Sequence, residues 1–199
     1  MVVSSPAPRR RYCCRREGRY GNAPGGGLAP SSKTLFHFRD TKGERCPAAS
    51  DFTREDCRAL IEGVADGTVD AIVTDHAPHC AFEKDREFER APFGMTGLET
   101  SLGLIVTNLV KPGIIGWNRL VELMAVNPRR IIRAERVSLE PGSVADFTVI
   151  DPDAAWTVSA DDFESKAANS AFIGTELVGR ATDVYVGGYA TMEEGAIVE

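Results

Sequence analysis

The 199 residues carry a formal net charge of −6, and the charge is split unevenly. Residues 1–52 hold ten Lys+Arg against four Asp+Glu, and residues 53–199 hold thirteen against twenty-five. Five cysteines without a C-x-x-C pair exclude a zinc-finger or redox spacing and suit free thiols in a reducing, cytoplasmic setting. No apolar h-region follows the N-terminal arginines, so neither a secretory leader nor a membrane association is expected.

In residues 1–52, Arg9, Arg10, Arg11, Arg15, Arg16 and Arg19 lie close to Tyr12 and Tyr20. That pattern could serve an RNA- or phosphate-binding tail. Gly25-Gly26-Gly27, scattered prolines and the lack of apolar periodicity favour a low-complexity, disordered segment over nucleic-acid binding. Residues 54–66 read as a helix. Cys57, Leu60, Ile61, Val64 and Ala65 form one apolar stripe, with Thr53 as cap and Gly67 as terminator.

Residues 69–74 read as a short strand, nearly all apolar and suited to burial on both faces of a parallel sheet. Pro78 cannot extend the ladder, so Asp75, His76 and His79 fall at the strand's C-terminal tip, where barrels of alternating strands and helices place their chemistry. A carboxylate there can bind a metal or hold a proton, or it can simply cap the turn. His76 and His79 are three apart in an irregular segment; each is open as a ligand, a substrate contact or a structural hydrogen-bonder. Cys80 is a weaker metal candidate. Glu83 to Arg90 is a charged surface loop.

Thr96-Gly97-Leu98-Glu99 has the spacing of a capping box. The helix that it opens carries Leu98, Leu102, Ile105, Val106 and Leu109 inward and stops before Pro112. A second helix spans 117–125 with Leu120, Val121 and Met124 inward. Asn127 caps a third that reaches Ala134, with Pro128 in its first turn. Strands follow at 144–150, 156–158 and 182–185, with Gly187-Gly188 as a turn. Lys166 and Asn169 are read as structural.

Several of these segments carry a family pattern. Thr74-Asp75-His76-Ala77-Pro78-His79 resembles the late signature of long-chain (class I) dihydroorotase, in the amidohydrolase superfamily. Ala91-Pro92-Phe93-Gly94, followed by Gly97-Leu98-Glu99-Thr100, resembles its PFG…GLET segment. Asn127-Pro128-Arg129-Arg130 resembles its Asn-Pro-Ala-Arg helix start, and Gly142 to Pro152 its G-x-x-ADLVVxDP strand. Ser165-Lys166 with Asn169 to Gly174 resembles its SKxxNTPFxG close. The resemblance covers about residues 53–199.

It implies an α/β fold: the C-terminal part of a TIM-like metal-dependent hydrolase barrel over 53–135 and a small β-rich composite subdomain over 136–199, with the N-terminal half-barrel missing. It implies reversible cyclisation of N-carbamoyl-L-aspartate to dihydroorotate in pyrimidine synthesis. Zinc would lower the pKa of bound water to about 7. By resemblance Asp75 is both a metal ligand and the proton carrier, His79 meets the substrate carboxylate, and the backbone of Phe93 and Gly94 forms the substrate turn. Relatives that open hydantoin or allantoin rings differ after the Asp-His pair, and His79 favours the dihydroorotase branch.

The chain departs from the family elsewhere. Its histidines are His37, His76 and His79, with no His-x-His pair, whereas a zinc centre takes three or four protein ligands. Ala48 stands where the family has a substrate-touching Asn. These departures predict an incomplete chain with little activity alone, its first 52 residues the product of a truncated or frame-shifted junction. They keep open a non-catalytic scaffold acting with a dihydroorotase or transcarbamoylase subunit, and an allantoinase- or hydantoinase-type enzyme. The apolar helix faces predict instability or homo-oligomerisation.

Overall fold

A computed structural model describes residues 2–4, 54–86, 90–92 and 94–198. The basic cluster at 9–19, His37, Ala48, the cap Thr53 and Phe93 lie outside the described residues. Two compact units emerge: residues 1–101 with 158–174, and residues 102–157 with 175–199.

In the first unit, β1 (Val2–Ser4) precedes α1 (Arg54–Ala65) and β2 (Ala71–Val73). Helix α1 follows the expected stripe in burying Cys57, Leu60 and Val64, while Ala65 faces outward. Gly67 ends it with φ 87°, a conformation glycine adopts without a Cβ clash. Strand β2 is shorter than the pattern suggested. It also corrects the expected parallel sheet: its partner is β1, antiparallel, with Val2 opposite Val73 and Ser4 opposite Ala71. An open strand edge presents unpaired N–H and C=O groups and pairs with whatever extended segment reaches it; Val2-Val3 is such a segment. Asp70 is buried too, so the run is not uniformly apolar. Beyond β2, a short α2 (Ala81–Lys84) starts the charged stretch expected to be loop.

The second unit, which takes in its helix from Leu102 onward, is an antiparallel sheet covered by that helix. Helix α3 (Leu98–Ile105) continues through a wide π turn, Val106–Val110, and stops before Pro112 as expected. Ile105, Val106 and Leu109 are buried and Leu98 is exposed. The sheet runs β3 (Phe147–Thr157), β4 (Glu176–Val186), β5 (Tyr189–Glu193) and β6 (Ala196–Ile197), each antiparallel to the next. Two glycines set how closely helix and sheet approach. A Cβ on Gly103 would lie 2.9 Å from Trp156 and 3.1 Å from Leu177, and one on Gly179 would lie 2.7 Å from Val106. Thr107 fastens the pair, its Oγ1 accepting the Val178 N–H at 2.8 Å.

Strand β3 joins two segments read separately in the sequence. Asp151-Pro152-Asp153 lies in the gap between them. Here it is a bulge, in which Asp151 Oδ1 accepts the N–H groups of Asp153 and Ala154 while pairing resumes at Ala155. The helices at 117–125 and 127–134 also join. α4 (Trp117–Val121), a π turn at Glu122–Val126 and α5 (Asn127–Ile131) form one run, so Asn127 is helical rather than a cap. The Asn127 N–H reaches back five residues to Glu122, and this widened turn relieves the clash that Pro128 would otherwise make with the preceding turn. Leu120 and Leu123 are buried, whereas Val121, expected inward, is exposed. No helix among the described residues is long and apolar enough to cross a membrane.

Candidate functional site

Three stretches of the first unit meet: the loop after β2, the turn at 94–97, and the 165–169 segment. The loop begins at Asp75, whose φ of 44° is left-handed. Aspartate tolerates that region better than most residues, because its short side chain can hydrogen-bond locally. There the chain leaves the strand and crosses to the turn. Ala77 N–H donates to the Met95 carbonyl at 2.9 Å. A Cβ on Gly97 would sit 2.9 Å from the Thr74 carbonyl oxygen, and one on Gly94 would sit 2.7 Å from Ala77 Cβ. Both positions need glycine for this approach, and Gly94 also has φ +113°.

His76 is used structurally. Its Nδ1 accepts the Gly97 N–H at 3.1 Å, which leaves the ring hydrogen on Nε2 facing Ser165 Oγ at 3.4 Å. Ser165 then donates its hydroxyl to Glu99 Oε1 through a short hydrogen bond, and its backbone N–H reaches the same oxygen at 3.0 Å. The second oxygen, Glu99 Oε2, is buried with no hydrogen-bond partner among the described residues.

His79 is held differently. Its backbone N–H donates to Asn169 Oδ1 at 2.8 Å, and its ring Nδ1 lies 3.5 Å from Glu83 Oε2 at a half-buried position. Asn169 Nδ2 donates to the Gly94 carbonyl at 3.2 Å, and the Asn169 main-chain oxygen accepts both Thr96 N–H and Thr96 Oγ1–H. The expected capping box therefore does not form. Thr96 and Glu99 spend their polar atoms on the 165–169 segment instead, and the cap geometry yields to these contacts.

Of the residues singled out in the sequence, His79 and Gly94 come together: His79 Nε2 is 3.4 Å from where a Gly94 Cβ would be. Asp75 is half-buried, and its carboxylate has no hydrogen-bond or ion-pair partner among the described residues. Cys80 is an exposed free thiol at the start of α2. Ser165 and Asn169 were not assigned to the site from the sequence. The only signal was their place in the closing SKxxN segment.

The donor set does not suit a zinc centre. No group of three His, Cys, Asp or Glu among the described residues could hold a metal ion. Both ring nitrogens of His76 are already engaged, and His79 turns Nδ1 to a carboxylate.

No protein-family model matches the chain. Its sequence is 51% identical over 127 residues to a dihydroorotase of Chlorobaculum tepidum, covering 64% of this chain and 29% of that protein. It is 52% identical over 136 residues to one of Geobacter metallireducens, covering 68% of this chain and 32% of the relative. Its fold is similar to an L-hydantoinase (dihydropyrimidinase) from Arthrobacter aurescens, with TM-score 0.68 and 31% identity over 74% of this chain and 34% of the other. At 21% identity it also shares its fold with the inactive dihydroorotase-like domain of a Chaetomium thermophilum CAD-like multifunctional protein, TM-score 0.57, over 77% of this chain and 41% of that one. The chain thus spans about a third of the length of the curated relatives it matches. Over its C-terminal segment the chain is similar in sequence to dihydroorotases and in fold to a hydantoinase, in each case along part of their length.

Proposed function

We propose that this chain supplies the Asp75–His79 side of a dihydroorotase-type site that interconverts N-carbamoyl-L-aspartate and dihydroorotate, and that it turns over little substrate by itself. The observation that carries this reading is the loop from Asp75 to His79, pinned against Gly94 and Gly97 with the Asp75 carboxylate left unengaged. A carboxylate with no partner is available to carry a proton from the attacking oxygen to the leaving amide nitrogen. His79 is assigned to the substrate's carboxylate side, and the backbone of Phe93 and Gly94 to the substrate-binding turn.

The division into residues 1–52, 53–135 and 136–199 is proposed as one of ancestry, barrel-derived sequence followed by the β-rich subdomain, rather than of compactness. The missing half-barrel, the zinc role of Asp75, a cytoplasmic location and a homo-oligomeric or transcarbamoylase partner belong to the same proposal. A second reading, a non-catalytic scaffold, is favoured by one observation: His76, the histidine next to Asp75, is wholly occupied by Gly97 and Ser165.

The test is metal analysis and a dihydroorotate assay on the purified full chain. The chain alone is expected to carry less than one zinc and to show no turnover above the blank. Mixed with the N-terminal portion of a related dihydroorotase, it should gain turnover that Asp75→Ala removes. Two tightly held zinc ions in the isolated chain, or turnover that survives Asp75→Ala, would overturn the proposal. Failure of the mixture to turn over would favour the scaffold.

A further inference from the structure

We infer that Asn169 is a positioning residue whose carboxamide sets the spacing between the His79 backbone and the Gly94 carbonyl. The side chain joins a donor on one stretch to an acceptor on the other, His79 N–H at 2.8 Å and Gly94 C=O at 3.2 Å. Only one orientation of the amide satisfies both, because His79 offers a hydrogen and Gly94 offers lone pairs. Its main-chain oxygen adds Thr96 N–H at 3.0 Å and Thr96 Oγ1 at 3.3 Å. One residue thus touches the loop that carries His79 and both ends of the Gly94–Thr96 stretch.

Other residue types cannot do this. Aspartate keeps the acceptor for His79 but sets an oxygen against the Gly94 carbonyl. Serine has one short hydroxyl for two partners, and glutamine adds a methylene where loop and turn are already in contact, with 2.7 Å between Ala77 Cβ and the Gly94 Cβ position. The consequence for substrate rests on the function proposed above, in which His79 and Gly94 face the same ligand. Small errors of placement in such a pair weaken binding steeply.

The experiment uses the full chain, isotope-labelled, as wild type, Asn169→Ala and Asn169→Asp. Amide exchange is read at His79 and Thr96, the carbonyl carbon shift at Gly94, and binding by titration with N-carbamoyl-L-aspartate. Asn169→Ala should speed exchange at His79 by about tenfold, the scale of one lost hydrogen bond, while Thr96 keeps its protection from the main-chain oxygen. Asn169→Asp should keep His79 protected yet shift the Gly94 carbonyl, a split that a general loss of packing would not produce. The inference is overturned if His79 exchange is unchanged in Asn169→Ala, or if His79 and Thr96 lose protection together in both variants. The substrate assignment is read separately with His79→Gln. If the wild type does not bind N-carbamoyl-L-aspartate, or His79→Gln binds it equally well, that assignment fails while the exchange data still decide the role of Asn169.

Discussion

Asp75 combines two properties in one residue, a left-handed backbone and a carboxylate with no partner among the described residues. The left-handed region disfavours side chains with a Cβ by about 1–2 kcal/mol, and aspartate by less. Asp75→Gly should therefore raise stability by about 0.5 kcal/mol in a urea melt, and Asp75→Val should lower it by more than 1 kcal/mol. Gly94 behaves in the opposite way. Gly94→Ala adds a methyl 2.7 Å from Ala77 Cβ at φ +113° and should destabilise by about 3 kcal/mol in the same melt. Ser165→Ala removes the hydroxyl between His76 and Glu99, leaving a mostly buried carboxylate with one backbone N–H; a loss of about 2 kcal/mol is expected. Asp75, His79 and Gly94 stand out as candidates in the sequence because their residue types cluster in or beside a motif. Ser165 and Asn169 were not, since their partners lie far away in sequence, 66 to 90 residues, and a single chain carries no signal of pairing at that range.

Among the elements, apolar period found α1 and α3, and the Gly187-Gly188 pair marked the hairpin turn. It failed where a local rule was overridden by its surroundings. Strands at 144–150 and 156–158 read as separate in the sequence, yet the neighbouring β4 pairs on both sides of Asp151-Pro152-Asp153 and turns the interruption into a bulge. Pro128 looks like a helix start, yet a π turn ahead of it lets the helix run through. The same wide turn follows α3, where buried Val106 meets Gly179. Gly179→Ala would set a methyl 2.7 Å from Val106 at φ +89°, and we expect a loss of about 3 kcal/mol. Val106→Ala in the same chain should recover part of that loss, because it clears the space. A double-mutant cycle by thermal melting measures the recovery, and simple additivity would refute the close packing of the π turn after α3 on β4.

For the whole molecule, burial is uneven. Trp117, Val121, Val126 and Ile131 along one helical run, and Ile132 just past its end, are all exposed large apolar residues. Exposed apolar surface of this extent is expected to self-associate or to bind a hydrophobic dye. Replacing Val121, Val126 and Ile132 together by Lys should lower the mass seen in light scattering; an unchanged mass would show that this face takes no part in association. The α/β class was an expectation from the family resemblance, and the antiparallel partner of β2 was not readable at all, because Val2–Ser4 has no feature that marks it for that edge.

Each compact unit is assembled from pieces that are not contiguous, since residues 158–174 belong with 1–101 while 102–157 belong with 175–199. A deletion series that trims this polypeptide from its far end would therefore be misleading. Stopping at residue 157 spares every residue of the Asp75–His79 signature and discards Ser165 and Asn169, so the motif would survive on paper while its scaffolding was gone. Excising one unit cleanly takes two cuts and a splice, and a shortened clone that proves inert would say nothing against the aspartate it still encodes.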